Sequence, residues 1–230
     1  MKKIIPQHIG IILDGNRRWA KKKKLNTFEG HKTGFENLKE ISNHIFNKRI
    51  KILTVFAFST ENWKRTKKEV NYLMKLFKIL VEKEAKILKE KGVQLKILGD
   101  ISEFNKELQL SIKKATKLTK HGKKGTLNVC LNYGGREEII NVIKNIIKDK
   151  VKVNKINNKL INKYLYTKGQ IDPDLIIRTS GEQRLSGFLT WQGVYSELYF
   201  PKKYWPDFKT KDLDKALEEY NDRKRRFGGN

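Results

Sequence analysis

The sequence predicts an α/β fold: one domain over residues 1–230, with a mostly parallel central sheet of about six strands and helices on both faces. Three observations predict it. Short β-rich apolar runs recur along the chain with helical patterns between them. Runs such as Ile9-Gly10-Ile11-Ile12-Leu13 are apolar on both faces, as the strands of a parallel sheet covered by helices must be. No repeat or interdomain linker interrupts the alternation, and 230 residues suit one core rather than two.

The expected strands lie at 9–13, 50–58, 93–98, 127–132 and 175–177, with a brief sixth at 198–200. After the second, Val70, Leu73, Met74, Phe77, Leu80, Val81 and Ala85 recur at helical spacing. Ile87 and Leu88 continue the pattern as far as Gly92, so a long amphipathic helix is expected there. Further helices are expected at 108–118, 136–147 and 212–225. Residues 148–168, rich in Lys and Asn, read as helical or partly mobile.

Charge and cysteine content narrow the classes of function. The 51 Lys and Arg exceed the 25 Asp and Glu to give +26, a field that attracts diphosphates, anionic membranes and nucleic acids alike. Lysines dominate and are spread over helical stretches beside Asn and Ile, which is also the pattern of a solvated face. Cys130 is the only cysteine, so there is no internal disulfide and no cysteine zinc cluster, and a reducing compartment fits. The first apolar run is broken by Asp14, too short for a signal-peptide core, and no run approaches the ~20 apolar residues of a membrane span. A cytoplasmic protein with peripheral membrane contact is expected.

In a parallel sheet, ligands bind beyond the carboxyl ends of the strands. The segments found there are Asp14-Gly15-Asn16-Arg17-Arg18-Trp19, Ser59-Thr60-Glu61-Asn62-Trp63-Lys64-Arg65, Asn132-Tyr133-Gly134-Gly135-Arg136 and Arg178-Thr179-Ser180-Gly181-Glu182-Gln183-Arg184. Gly15 permits a tight turn whose N–H groups cradle phosphate. Arginine binds phosphate in a planar, bidentate way that lysine cannot. Convergent arginine loops imply a ligand with several phosphates, and Asp14 at their rim suits Mg²⁺, which takes one or two carboxylates together with phosphate oxygens. Alone, Asp14 reads first as a helix N-cap and His31 as structural; the Gly-Asn-Arg-Arg that follows Asp14 turns it toward the ligand. The dinucleotide, P-loop and Asp-Asp-x-x-Asp signatures are absent.

The ordered series His8-Ile-Gly-Ile-Ile-Leu-Asp-Gly-Asn-Arg-Arg-Trp-Ala20, Gly30-His31-Lys-Thr-Gly34, Phe56-Ala-Phe-Ser-Thr-Glu-Asn-Trp63 with Arg65, Asn132-Tyr-Gly-Gly-Arg136 and Ile177-Arg-Thr-Ser-Gly-Glu-Gln-Arg-Leu-Ser186 resembles the motifs of the cis-prenyltransferases of the undecaprenyl diphosphate synthase type. The resemblance continues through Phe188-Leu-Thr-Trp-Gln192, Tyr195-Ser-Glu-Leu-Tyr-Phe200, Trp205-Pro-Asp-Phe208 and Arg225-Arg-Phe-Gly-Gly229, so it covers nearly the whole chain. It implies an enzyme that adds isopentenyl diphosphate units to an allylic diphosphate, with farnesyl diphosphate the expected starter and a long-chain polyprenyl diphosphate such as undecaprenyl diphosphate the expected product, and with a hydrophobic tunnel between the sheet and the long helices. By resemblance, Asp14 and Asn62 are catalytic, and Asp14 with Glu197 holds Mg²⁺. The allylic substrate falls to Gly15, Asn16, Arg17, Arg18, Trp19, His31, Ser59, Glu61, Trp63 and Arg65. Isopentenyl diphosphate falls to Arg178, Arg184 and Ser186, with Arg226 and Gly228 reaching a neighbouring subunit's site in a homodimer. Glu69 joins the segment that closes over the site.

The chain departs from the family's pattern in four places: Thr27 stands for a usual arginine, Thr66 for a proline, Ser180 for a glycine and Gly187 for an asparagine. Lys21 to Lys24 lie near enough in sequence to substitute for the missing arginine. A phosphohydrolase with Asp14 as nucleophile would want a second carboxylate nearby, and Asp-Gly-Asn offers none. A nucleic-acid module would interleave exposed aromatics with its basic residues, whereas here the arginines gather in strand-end loops, so nucleic acid is not expected as a partner. A non-catalytic partner subunit of a prenyltransferase is disfavoured by intact Asp14, Arg18, His31 and Asn62.

Overall fold

Apolar runs that alternate with helices can bury both faces only by pairing in parallel under two helical layers. A computed structural model, which describes residues 4–223, has this arrangement. Strands β1 (His8–Ile12), β2 (Ile52–Ser59), β3 (Val93–Leu98), β4 (Gly125–Tyr133), β5 (Leu175–Arg178) and β6 (Glu197–Tyr199) form one sheet in the order β3-β4-β2-β1-β5-β6. Every pairing is parallel. All six strands fall where the apolar runs predict them, with ends displaced by a residue or two.

The register fixes the site. Ile12 lies opposite Phe56 on one side and Arg178 on the other, so the chain leaves β1, β2 and β5 at one pole of the sheet.

The expected long helix is present in three parts: α3 (Lys67–Ile79), a π turn over Leu80–Glu84 and α4 (Ala85–Glu90). Helices α5 (Lys106–Thr119), α6 (Gly135–Lys148) and α8 (Thr210–Asp222) match expectation closely. Residues 148–168 contain the short helix α7 (Asn158–Tyr164). Helices α1 (Asn16–Lys22) and α2 (Thr27–Asn47) are not singled out by the apolar pattern. Asn26 caps the start of α2, its side chain accepting from the N–H of Glu29.

The two layers differ. On one face α2, α3, α5 and α8 pack Ile41, Ile45, Phe77, Ile112 and Leu213 against Ile9, Ile11, Leu53, Val55 and Val129. On the other, Phe188 and Leu189 cover Ile12, Cys130 and Ile176, while α6 and α7 close a smaller cluster around Val142, Ile146 and Leu165.

A buried polar triad ties β1 to its neighbours. His8 Nδ1 donates to the Ile171 carbonyl at 2.8 Å, which leaves Nε2 to accept from Thr54 Oγ1 at 2.7 Å. Asn128 Nδ2 donates to the same Thr54 oxygen at 2.8 Å. Burial holds the His8 pKa down to about 4, against smaller opposing effects of the Ile171 carbonyl and Asp174.

Between that value and the ordinary histidine range the unfolded chain binds the proton and the folded one does not, so stability must fall as pH drops through this window. The shift corresponds to about 3 kcal/mol. Urea unfolding at pH about 7 and about 4.5 should show wild type losing roughly 2–3 kcal/mol more than His8→Gln. Equal losses in the two proteins would show that His8 is not the group responsible.

Candidate active site

Asp14 follows β1 and is fixed by its backbone before its side chain is considered. Its carbonyl accepts from Thr179 Oγ1 at 2.7 Å and from the Trp205 N–H at 2.9 Å. It does not cap α1: the N-cap is Gly15, at φ 103, where a side chain would be strained and would meet the Tyr204 ring at 2.7 Å. The carboxylate is therefore free to face the pole.

There it meets two arginines. Arg178, the last residue of β5 and only 5% exposed, donates to Asp14 Oδ2 from Nη2 at 2.9 Å and from Nε at 3.3 Å. Its Nη1 donates to Ser186 Oγ at 2.8 Å and to the Arg184 carbonyl at 2.5 Å. Arg18 Nη2 donates to Asp14 Oδ1 at 3.1 Å and to Ser180 Oγ at 2.7 Å, and its Nη1 pairs with Glu182 at 2.6 Å. Partial burial opposes ionisation of Asp14, yet the hydrogen bonds and charges of Arg178, then Arg18, outweigh it and hold the carboxyl below its ordinary value. Asp14 is a carboxylate at neutral pH.

A second constellation lies across the mouth. Glu69, buried at the start of α3, accepts from His31 Nε2 at 3.0 Å and Arg65 Nη1 at 3.1 Å, with Arg17 Nε at 3.8 Å. Burial, helped by the Arg65 and Arg17 charges and opposed by Glu69, lowers the His31 pKa, so its ring is neutral with the proton on Nε2. This cluster joins α1, α2 and α3 through one carboxylate.

Between the two lies a cavity of about 980 Å³. Its mouth is lined by Asp14, Gly15, Asn16, Arg17 and Arg18 from the first turn, by Ser59, Glu61, Asn62 and Arg65 from the second, by His31 from α2, and by Arg178 and Ser186. Its depth is lined by Phe35 and Leu38 of α2, Leu73, Leu76 and Phe77 of α3, Leu80, and Val129 of β4. One end is built for charge, the other for hydrocarbon.

Several expected site residues make contacts of their own within the chain. Asn62 accepts from the Ser59 N–H at 3.1 Å and so shapes the 3₁₀ turn Thr60–Lys64 at the mouth. The Trp19 indole donates to Asp207, and the Trp63 indole donates to Asn132 while its ring packs on Phe58; neither lines the cavity. The Arg184 side chain pairs with Glu182 at 2.6 Å. Glu197 opens β6 in register with Leu175, near the opposite pole of the sheet, and pairs with Arg223 at 2.8 Å; within one chain it is not brought to Asp14. Arg226 and Gly228 lie outside the described residues.

The departures also find places. Thr27 lines the mouth where the family has an arginine, and Lys21 lines it too. Ser180 takes φ 80, the backbone a glycine favours, and its hydroxyl meets Arg18. Glu182, which neutralises both Arg18 and Arg184, and Tyr204, whose ring lies 5.7 Å from the Arg18 guanidinium carbon, were missed in the sequence. The signal for Glu182 was an acid between two arginines of one loop.

Helix α1 can carry its arginines so close to α2 only because Gly30 and Gly34 lack side chains: a Cβ on Gly34 would fall on Asn16 Oδ1, and one on Gly30 on the Asn16 carbonyl. Gly34→Ala should therefore destabilise the protein by about 1–3 kcal/mol, read as a lower urea midpoint with unchanged slope. An unaltered midpoint would mean that α1 shifts freely.

Residues 12–228 match the family described as "Putative undecaprenyl diphosphate synthase". The isoprenyl transferase of Clostridium tetani is 48% identical over 229 residues, covering 98% of this chain and 90% of that protein. The farnesyl-diphosphate-specific ditrans,polycis-undecaprenyl-diphosphate synthase of Pasteurella multocida is 45% identical, covering 98% and 95%. Among solved structures, lavandulyl diphosphate synthase from Lavandula x intermedia, in complex with dimethylallyl diphosphate, superposes with a TM-score of 0.93 at 35% identity, covering 97% of this chain and 98% of that one. A probable undecaprenyl diphosphate synthase from Campylobacter jejuni gives 0.81 at 28% identity, covering 97% and 98%. Identity of this order along almost the whole chain, with the motif residues gathered around one cavity, establishes that the chain belongs to the undecaprenyl diphosphate synthase family of isoprenyl transferases.

Proposed function

We infer that the chain is a cis-prenyltransferase that condenses isopentenyl diphosphate units onto an allylic diphosphate, releasing diphosphate and lengthening a polyprenyl diphosphate. The carrying observation is the two-ended cavity, arginine-rich at the mouth and hydrocarbon-lined at depth. A substrate with a diphosphate head and a prenyl tail fits both ends at once, and each methylene buried is worth ~0.8 kcal/mol. Farnesyl diphosphate is the proposed starter and a product of undecaprenyl length the proposed end.

In this reading the allylic diphosphate lies on the turn of Gly15 and Asn16, against Arg17, Arg18 and Arg65, with neutral His31 nearby. Isopentenyl diphosphate lies against Arg178, Ser186 and the Arg184 loop. The chemistry asks for little acid or base strength: the allylic C–O bond breaks, the second substrate's double bond attacks the freed carbon, and a proton then leaves, taken here by the released diphosphate. Fixed N–H donors stabilise the charge that develops on the leaving group. Holding two carbons at reacting distance supplies much of the remaining gain.

Asp14 suits Mg²⁺. Arg178 and Arg18 make three N–H contacts to a carboxylate with about four acceptor positions. A hard cation of this kind draws most of its ligands from diphosphate and water, so one carboxylate from the protein is enough to hold it. When bound there, the ion would supply Lewis-acid stabilisation of the leaving diphosphate. Purified protein given farnesyl diphosphate and radiolabelled isopentenyl diphosphate should form a long extractable lipid only with Mg²⁺, and Asp14→Ala should lower the rate at least about 100-fold. No lipid product from folded wild type would sink this reading.

A homodimer and peripheral membrane contact belong to the same proposal. Helix α6 leaves Ile140, Ile143 and Ile147 exposed on one stripe, the last at 71%, as an unpartnered surface suited to a second copy. Among the described residues no helix is long and apolar enough to cross a membrane. Sedimentation velocity should give a dimer, and Ile143→Asp a monomer; a monomeric wild type would exclude it.

A further inference from the structure

A smaller hollow of about 40 Å³ lies next to the apolar end of the large cavity, with Phe35, Leu38 and Leu80 lining both. The hollow lies between α2 and α4 and extends to Ile87, Lys91 and Leu127. Leu127 is the third residue of β4, so the hollow points to the amino ends of the strands, away from Asp14.

That pole is basic. Helices covering a parallel sheet run against the strands, so the carboxyl ends of α2, α4 and α5 gather there with Arg49, Lys51, Lys91, Lys120, Lys123 and Lys124. Local contacts hold them together: Lys91 Nζ meets Asn43 at 2.9 Å, Lys124 Nζ meets Asn47 at 2.9 Å, and the Lys51 and Lys120 carbonyls accept from Thr126 and Gln94. Among the described residues none of the six cations pairs with a carboxylate. Ile87 and Leu118, on α4 and α5, are exposed beside them at 40% and 38%.

We propose that this pole docks on an anionic lipid bilayer, with the small hollow facing the interface so that a lengthening prenyl tail passes into the membrane. The proposal rests on the prenyl-transfer reading. Unpaired cations attract an anionic surface, each adding to the affinity, and the exposed aliphatic side chains sit where they could enter its edge. Nucleic acid is the poorer occupant, since stacking platforms are aromatic and these exposed groups are aliphatic.

The test compares two variants that each lower the net charge from +26 to +22. One replaces Lys51, Lys120, Lys123 and Lys124 with Gln; the other makes the same change at the exposed Lys67, Lys68, Lys106 and Lys202, which follow the carboxyl ends of β2, β3 and β6 at the other pole. Sedimentation with vesicles of phosphatidylglycerol and phosphatidylcholine, without substrates, should show salt-sensitive binding by wild type, little to phosphatidylcholine alone, and at least about a tenfold loss in the first variant only. Equal loss in both variants, wild-type binding to neutral vesicles as strong as to anionic ones, or binding to a duplex oligonucleotide but not to vesicles would overturn the proposal. Thermal unfolding checks that both variants are folded. Prenyl transfer is assayed separately in detergent, so failure of the enzyme assignment and failure of the docking surface are distinguishable.

Discussion

The pairing of Asp14 with Arg178 is the contact around which the site is arranged, and it follows from strand register. Ile12 of β1 lies opposite Arg178 of β5, so a chain that continues two residues past Ile12 places a carboxylate beside the guanidinium. A cation that is 5% exposed needs a partner, and an acid so placed keeps its charge because the arginine stabilises it. The remaining Arg178 nitrogen reaches Ser186 and the Arg184 carbonyl, so the loop after β5 is folded onto the same point. Two loops from distant parts of the sequence thus share one electrostatic centre.

The second centre has opposite logic. At Glu69 a single carboxylate draws in His31, Arg65 and Arg17, three donors from three segments. At the first centre the acid is held by arginines of α1 and β5, parts of the rigid frame; at the second it is itself the link between α1, α2 and the start of α3. The segment Thr60–Lys64, which precedes α3, is shaped by short-range contacts between Ser59 and Asn62. Any anion that drew Arg17 or Arg65 away would loosen the tie between α1 and the start of α3, because both arginines are held by the same carboxylate.

Much of this was legible in the sequence, for physical reasons that can be named. Strands buried on both faces leave long apolar runs, and loops that bind phosphate must carry glycine and arginine, so β1 to β6 and the turns around Asp14, Asn62 and Arg178 stood out. Helix α2 did not. Its first two turns hold Gly30, His31 and Gly34, which allow the approach to Asn16, and they interrupt the apolar spacing, which recurs regularly only from Phe35 and Leu38 onward. Trp19 and Trp63 sit inside site motifs yet point to Asp207 and Asn132, because a motif preserves the backbone of a loop as well as its ligands. Glu197 could not be placed from sequence, since its position depends on which end of the short strand β6 faces the pole.

The parallel sheet also explains why one cavity can serve two unlike ends of a substrate. All strands deliver their carboxyl ends to one pole, where turns expose N–H groups and arginines; the helices that return from it bring their carboxyl ends, rich in lysine, to the other. Between the poles, α2 and α3 must present apolar faces to the sheet simply to fold. Leu73, Leu76, Phe77 and Leu80 are both core and cavity wall, so the sequence pattern that makes the helix also makes the lining. The π turn at Leu80–Glu84 lends Leu80 to the walls of both the large cavity and the small hollow. An extra residue in the helical turn rotates the side chains after it, which lets α3 face the cavity while α4 offers Ile87 to solvent beside Lys91. A straight helix of the same length would have had to keep one face throughout.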